Sequence, residues 1–201
     1  MQGAALLSRF ALAATALMLL AHLVGLFLSG ADAASTPISQ LSRGTAASLH
    51  TTGLSVLAMA QLALATALWR IGDTSHMWRI GCILLAVNAP LLTIIAIYFL
   101  RAPDAQLFGP DANDPLAILA SNVGVIMALL QPGLKRLAPR AARINLIFFV
   151  LWLALIPVIP FIESDWLGAY ERSVGATLLT WIASLAWTVS RVADKPQSRL
   201  L

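Results

Sequence analysis

Leu134–Arg143 (LKRLAPRAAR), followed by Ile144–Ile162 (INLIFFVLWLALIPVIPFI), decides the class of this protein. The first stretch carries Lys135, Arg136, Arg140 and Arg143 and no acid. The second carries no charge and runs into Glu163 and Asp165. A bilayer takes roughly 20 apolar residues to cross. An uncharged run of about that length, with bases at one end and acids at the other, reads as a membrane span whose basic end faces the cytoplasm.

Composition agrees. Of 201 residues 59% are hydrophobic and only 11% charged, with a mean hydropathy of +0.83. A soluble domain carries about a quarter charged residues. Lys and Arg outnumber Asp and Glu by 13 to 9 and set the pI near 10.0. In a soluble chain that excess points to nucleic acid. Here the bases sit in short connections beside apolar runs, so membrane lipids are the expected partner and nucleic acid is not. Cys82 is the only cysteine, which excludes an intrachain disulfide and thiolate metal clusters.

Working outward, five further apolar runs appear, and the expected fold is all-α: a polytopic bundle of six membrane spans with both termini in the cytoplasm. The spans cover about residues 6–29, 47–69, 79–100, 115–131, 144–162 and 170–192. Pro132 and Gly133 are expected to end the fourth span before the basic hinge. On this map Arg9, Arg70, Arg79, Lys135, Arg136, Arg140, Arg143, Arg191, Lys195 and Arg199 lie inside, ten of the 13 bases. Only Arg43, Arg101 and Arg172 lie outside, together with most of the acids. Ala31-Asp32-Ala33 resembles a signal-peptidase site, but the run before it exceeds the usual length of about 7–15 residues, so the first span is expected to stay.

Several polar or small residues stand out within the spans. Ala21, Gly25 and Ser29 recur every four residues, as close helix packing requires. His22 lies beside that stripe, while His50, Gly53, Leu57 and Gln61 share one face of the second span. Pro90 frees the carbonyl of Ala86 in mid-span, where Asn88 is placed to bond to it or to another helix. Thr180, Ser184 and Thr188 read as a packing face. Pro157 and Pro160 should distort the end of the fifth span.

Pro37–Gly44 (PISQLSRG), Arg101-Ala-Pro-Asp104 and Gly168-Ala-Tyr-Glu-Arg172 resemble family 998 of the domains of unknown function, small multi-pass prokaryotic membrane proteins. The resemblance covers about Ser35 to Arg191, with Ser121-Asn122 where many members have a histidine. It implies the fold and a bacterial inner-membrane location. It implies no activity, because the family carries none that is settled.

Folded as one bundle, the spans would gather His22, His50, Asn122, Glu171 and Arg172 in the outer leaflet as a candidate ligand-binding cluster. The basic hinge residues Lys135, Arg136, Arg140 and Arg143 are placed for anionic lipid. Two imidazoles and a carboxylate are chemically able to hold a metal or a haem. With no H-x-x-x-H or H-E-x-x-H spacing, the expectation is no cofactor, and imidazoles hydrogen-bonded to Asn122, Glu171, Thr51 or Ser173. No nucleophile elbow, phosphate loop or dinucleotide fingerprint is present. The expected role is a non-catalytic accessory or lipid-binding membrane protein, working alone, as a homo-oligomer or in a larger complex. The alternatives are an enzyme acting on a lipophilic substrate through the outer cluster, and a small transporter.

The split of bases makes the topology testable. Reporters active only outside the cytoplasm should be bright when fused after Pro110 or Ser164 and dark after Ala138 or Lys195. A bright fusion after Ala138 would overturn the map.

Overall fold

The computed structural model describes residues 2–41, 46–72, 75–101 and 115–194. Ser42–Gly44, Ala102–Asp104, Asp111, Asp114, Lys195 and Arg199 lie outside the described residues, and with them parts of two stretches that carry the family resemblance. The described chain is all helix and turn: α1 Gln2–Ser29, α2 Ile38–Leu41, α3 Ala47–Ile71, α4 His76–Arg101, α5 Pro115–Leu137, α6 Pro139–Leu155 and α7 Leu167–Ala193. Five helical segments among the described residues are long and apolar enough to cross a membrane: Gln2–Ser29, Ala47–Ile71, His76–Ile97, Pro139–Phe161 and Ser164–Ala193. α5 is the sixth long helix, packed between α4 and α6.

The long helices form a closed ring in which each packs on the next, and α7 returns to α1 and α3. Large apolar side chains cover the outside; Phe27 and Phe161 are 85% and 83% exposed. An apolar exterior of this extent suits hydrocarbon rather than water. The tightest seam joins α1 to α3. Ala4, Ala11, Ala14, Met18, Ala21 and Gly25 are its buried stripe on α1. A Cβ on Gly53 would come within 3.1 Å of Ala21 Cβ. The stripe thus runs toward the N-terminus of the helix from Ala21 and Gly25; Ser29 is exposed and spends its hydroxyl on the carbonyl of Leu26. Gly30 (φ +62°) ends α1 in the left-handed conformation that glycine adopts without strain.

The basic stretch folds differently from its sequence reading. α5 runs through Pro132 and Gly133 to Leu137, so Lys135 and Arg136 lie in its last turn. The chain breaks at one residue, Ala138 (φ −155°, ψ 84°), and α6 starts at Pro139 rather than Ile144. A residue before proline is driven out of the α region, and proline itself suits the first helical position. Pro139 is therefore the effective breaker, and Arg140 and Arg143 become helical. Pro157 and Pro160 do distort the far end: Ile156–Phe161 is a 3-10 helix.

The same end of the bundle holds Arg9, Arg70, Arg79, Lys135, Arg136, Arg140, Arg143 and Arg191, at the N-termini of α1, α4 and α6 and the C-termini of α3, α5 and α7. Arg79 lies over Trp69, with its guanidinium carbon 5.5 Å from the ring centroid, and Arg191 lies 4.7 Å over Trp187. Trp and Arg paired at span ends are what a membrane interface favours. Just inside, Asn145 donates to Met127 O (2.9 Å) and Gln131 Oε1 (2.7 Å) and accepts from Trp181 Nε1 (2.9 Å). One amide so ties α5, α6 and α7 together. The hydroxyls of Thr180, Ser184 and Thr188 instead bond to their own helix, and Thr180 is exposed.

Trp78 fixes the junction of α3, α4 and α5. It is 1% exposed, donates from Nε1 to Leu68 O, and lies between Gly72 and Gly133. A Cβ on Gly133 would fall 2.2 Å from Trp78 Cε3, whereas one on Gly124 would meet Trp152 at 3.4 Å, an ordinary contact. Gly133→Ala should therefore destabilise the protein by about 1–3 kcal/mol, seen as a lower melting temperature in detergent, and Gly124→Ala should not. Equal melting of the two variants would overturn this account.

Candidate functional site

The connection from α1 to α3 crosses the end of the bundle away from the bases, and the first turn of α7 holds it there. Asp32 begins it as a turn: its carboxylate accepts from the Ser35 hydroxyl (2.6 Å) and from the amides of Ala34 and Ser35. These donors, Ser35 foremost, hold the Asp32 carboxyl below its ordinary range. The Ala169 amide donates to Ala34 O, and Arg172 Nη1 donates to the carbonyls of Ala33 and Thr36, all at 2.8 Å. Glu171 Oε2 accepts from the Ile38 amide (2.5 Å), which caps α2. The fit depends on Gly168, where a Cβ would stand 2.4 Å from Thr36 O. Leu41 anchors the far side of this strap and is buried.

Beneath the strap lies a cavity of about 370 Å³, within the range of small-molecule sites. Every long helix contributes to its wall. Leu54, Leu57, Leu92, Ile95 and Val123 represent its apolar lining, and His22, His50, Tyr170, Glu171 and Arg172 form its polar part. Ile38 and Gly175 complete the wall where strap and α7 meet.

Four of the five residues expected to cluster therefore share one cavity. The rings of His22 on α1 and His50 on α3 are 5.9 Å apart between centroids and inclined at 58°. Glu171 and Arg172 come from the first turns of α7 and point to different partners, as adjacent helical residues do. Asn122 is the exception. Its Nδ2 donates to Asn88 Oδ1 (3.2 Å) across the α4–α5 seam, and neither residue lines the cavity. Helix-to-helix pairing beside Pro90 accounts for that bond.

The expected partners of the imidazoles are engaged elsewhere or absent. Glu171 takes the Ile38 amide, Ser173 donates to Ala169 O, and Thr51 Oγ1 itself has no partner among the described residues. His22 Nε2, His50 Nδ1 and Arg172 Nε and Nη2 are all buried, and none has a hydrogen-bond partner among the described residues. His50 is only 2% exposed. A buried polar group left unsatisfied costs on the order of 1–3 kcal/mol, and more when charged. Four such atoms belong to three residues that line one cavity, where a polar ligand would relieve them; Gln61 and Asn88 Nδ2 are likewise unpartnered among the described residues but lie outside its wall.

Two imidazoles alone are an incomplete set for zinc, which takes at least three protein ligands. Among the described residues no group of three or more His, Cys, Asp and Glu is arranged to hold a metal. Lys135, Arg136, Arg140 and Arg143 are exposed at the opposite end and have no part in the cavity.

Tyr170 and Trp152 are cavity residues that the sequence reading passed over. Tyr170 donates to Leu155 O (2.6 Å) and Trp152 Nε1 to Ala120 O (2.8 Å), so both are satisfied and serve as wall. Tyr170 stands next to Glu171 in the sequence, a signal that was available; Trp152 reads as one more apolar residue in an apolar run.

No family model matches the chain, and no curated protein or solved structure is detectably similar to it.

The strap makes its own prediction. In a Cys82→Ala background, Leu41→Cys should react slowly with a water-soluble maleimide, because Leu41 is buried under the strap. Adding Gly168→Ala should lift the strap and speed labelling on the order of tenfold. An unchanged rate would show that the strap is not held through Gly168.

Proposed function

We propose that this is a six-span inner-membrane protein of a bacterium, with both termini in the cytoplasm, that binds a lipid-like amphiphile in the outer half of its bundle. The observation that carries the reading is the set of unpartnered imidazole and guanidinium nitrogens at one part of an otherwise apolar cavity. Such a site suits a molecule with a polar head and a hydrocarbon tail. The gathering of bases at one end supports the orientation. There Lys135, Arg136, Arg140 and Arg143 are exposed for anionic lipid of the cytoplasmic leaflet. Membership of family 998 of the domains of unknown function is part of the proposal. Its support is the sequence resemblance of Pro37–Gly44, Arg101–Asp104 and Gly168–Arg172.

A second reading is favoured by one specific observation. A cavity joining His22, His50 and Glu171 is also what an enzyme acting on a lipophilic substrate would need, with the imidazoles as acid and base. A bare structural scaffold would have no use for it. Transport draws less support, since Asn88 accepts from Asn122 through Oδ1 and lies outside the cavity wall.

Gentle purification followed by lipid extraction and mass spectrometry tests the proposal. One amphiphile, or a narrow set, should be retained near one per protein, and His22→Leu/His50→Leu should lose it while still accumulating in the membrane. Recovery of bulk membrane lipid alone, in the same proportions from both proteins, would overturn the proposal. A retained molecule that differs chemically from the one supplied would favour the enzyme.

A further inference from the structure

Arg172 carries information about the head of the ligand beyond the fact that one is bound. Its guanidinium is divided between two tasks. Nη1 is spent on the strap, donating to Ala33 O and Thr36 O. Nε and Nη2 form the other edge of the same planar group, are buried, and have no hydrogen-bond partner among the described residues. That edge offers two parallel N–H bonds, the geometry that receives two oxygens of a carboxylate or phosphate side-on. Glu171, its neighbour in sequence, holds the Ile38 amide, and Asp32 is turned into its own Ser35 turn.

Resting on the amphiphile reading above, we infer that the head of the ligand is an oxyanion, a carboxylate or a phosphate, gripped by the Nε–Nη2 edge of Arg172. His22 Nε2 and His50 Nδ1 complete the head site from the same cavity. A neutral imidazole nitrogen donates or accepts according to its tautomer, so the pair suits an oxyanion with or without a proton. A cationic head would have only Glu171 to meet it in the wall, and that carboxylate already accepts from the Ile38 amide. A neutral head such as an alcohol would satisfy an imidazole but leave the buried Nε–Nη2 edge idle, the more costly of the two omissions. The tail has a place as well. From the head site the wall continues through Leu57 and Leu92 to Val123, all apolar and buried. Leu19 and Leu23 on α1 and Ala176 on α7 line the cavity and are exposed, on helices that pack on each other. The seam between α1 and α7 is thus the route by which a chain would reach the bilayer.

The test titrates the full-length protein, stripped of bound lipid in non-ionic detergent, with dodecyl phosphate, dodecanoate, dodecanol and inorganic phosphate. Binding is followed by calorimetry and by the rise in melting temperature. Both anionic amphiphiles should bind, and dodecanol should bind on the order of tenfold to a hundredfold more weakly, as expected for losing a charge-assisted pair. Inorganic phosphate should bind far more weakly than dodecyl phosphate. Arg172→Gln should bring the anions down to the level of dodecanol without changing dodecanol itself. Because Nη1 also holds the strap, Arg172→Lys is the companion variant: it keeps a charge and a donor but has no two-pronged edge, and should lose most of the anion preference. Should Arg172→Gln fail to fold, the Lys variant decides. If dodecanol binds as tightly as dodecyl phosphate, or both Arg172 variants keep the anion preference, the oxyanion inference is wrong and the amphiphile reading stands. If inorganic phosphate binds as tightly as dodecyl phosphate, the site is for a free anion and the tail assignment is overturned. If none of the four binds, the amphiphile reading itself falls.

Discussion

The close approach of α1 and α3 is the constraint on which the site depends. Apolar side chains gain little by leaving lipid for one another, so helix contacts in a membrane rest on shape and on small residues that admit a close neighbour. A Cβ on Gly53 would crowd Met18 and Ala21, whereas one on Gly25 would meet Ala46 at an ordinary 3.7 Å. That approach is why His22 and His50, one on each side of the seam, lie with ring centroids 5.9 Å apart. With wider spacing each ring would meet lipid or solvent, and neither would contribute to a shared cavity.

A second constraint closes the site from above. A chain crossing between helix ends exposes carbonyls and amides that need partners, and the first turn of α7 supplies them for the strap. Glu171 takes an amide and Arg172 two carbonyls, so two oppositely charged neighbours are both used on backbone. The strap gains a fixed position, and Ile38 becomes part of the cavity wall. Arg172 thus serves the strap through Nη1 alone, while its Nε and Nη2 stay buried with no hydrogen-bond partner among the described residues.

Much of this was legible in the sequence. Uncharged runs and the placement of bases disclosed the helices, and helical spacing put His50, Gly53, Leu57 and Gln61 on one face, where all four are buried. What failed was local. Pro132 was read as a stop, yet a helix carries a proline when its neighbours accommodate the bend, and the true break follows from Pro139 acting on Ala138. Asn122 was assigned by depth to the histidines, but depth along a helix does not say which way a side chain turns. Its direction is set by packing between α4 and α5, and it meets Asn88. Asn145 drew no notice although a lone amide in an apolar run is a fair sign of a bond between helices. The cavity was not legible at all, since empty space depends on how six helices fail to fill their centre.

Helix α6 has a bearing on how the protein is made. Its span is the most apolar of the five candidate crossings and the least buried, with only 11% of its best window covered. It touches α5 and α7 along the ring and is pinned near its start by Asn145. α3 is the opposite case: the most buried of the five, and less apolar than α1, α4 and α6. The two helices therefore answer to different forces during biogenesis. α6 is apolar enough to be stable in hydrocarbon before its neighbours cover it. α3 carries His50 and Gln61, which are shielded from hydrocarbon only when the other helices pack on it.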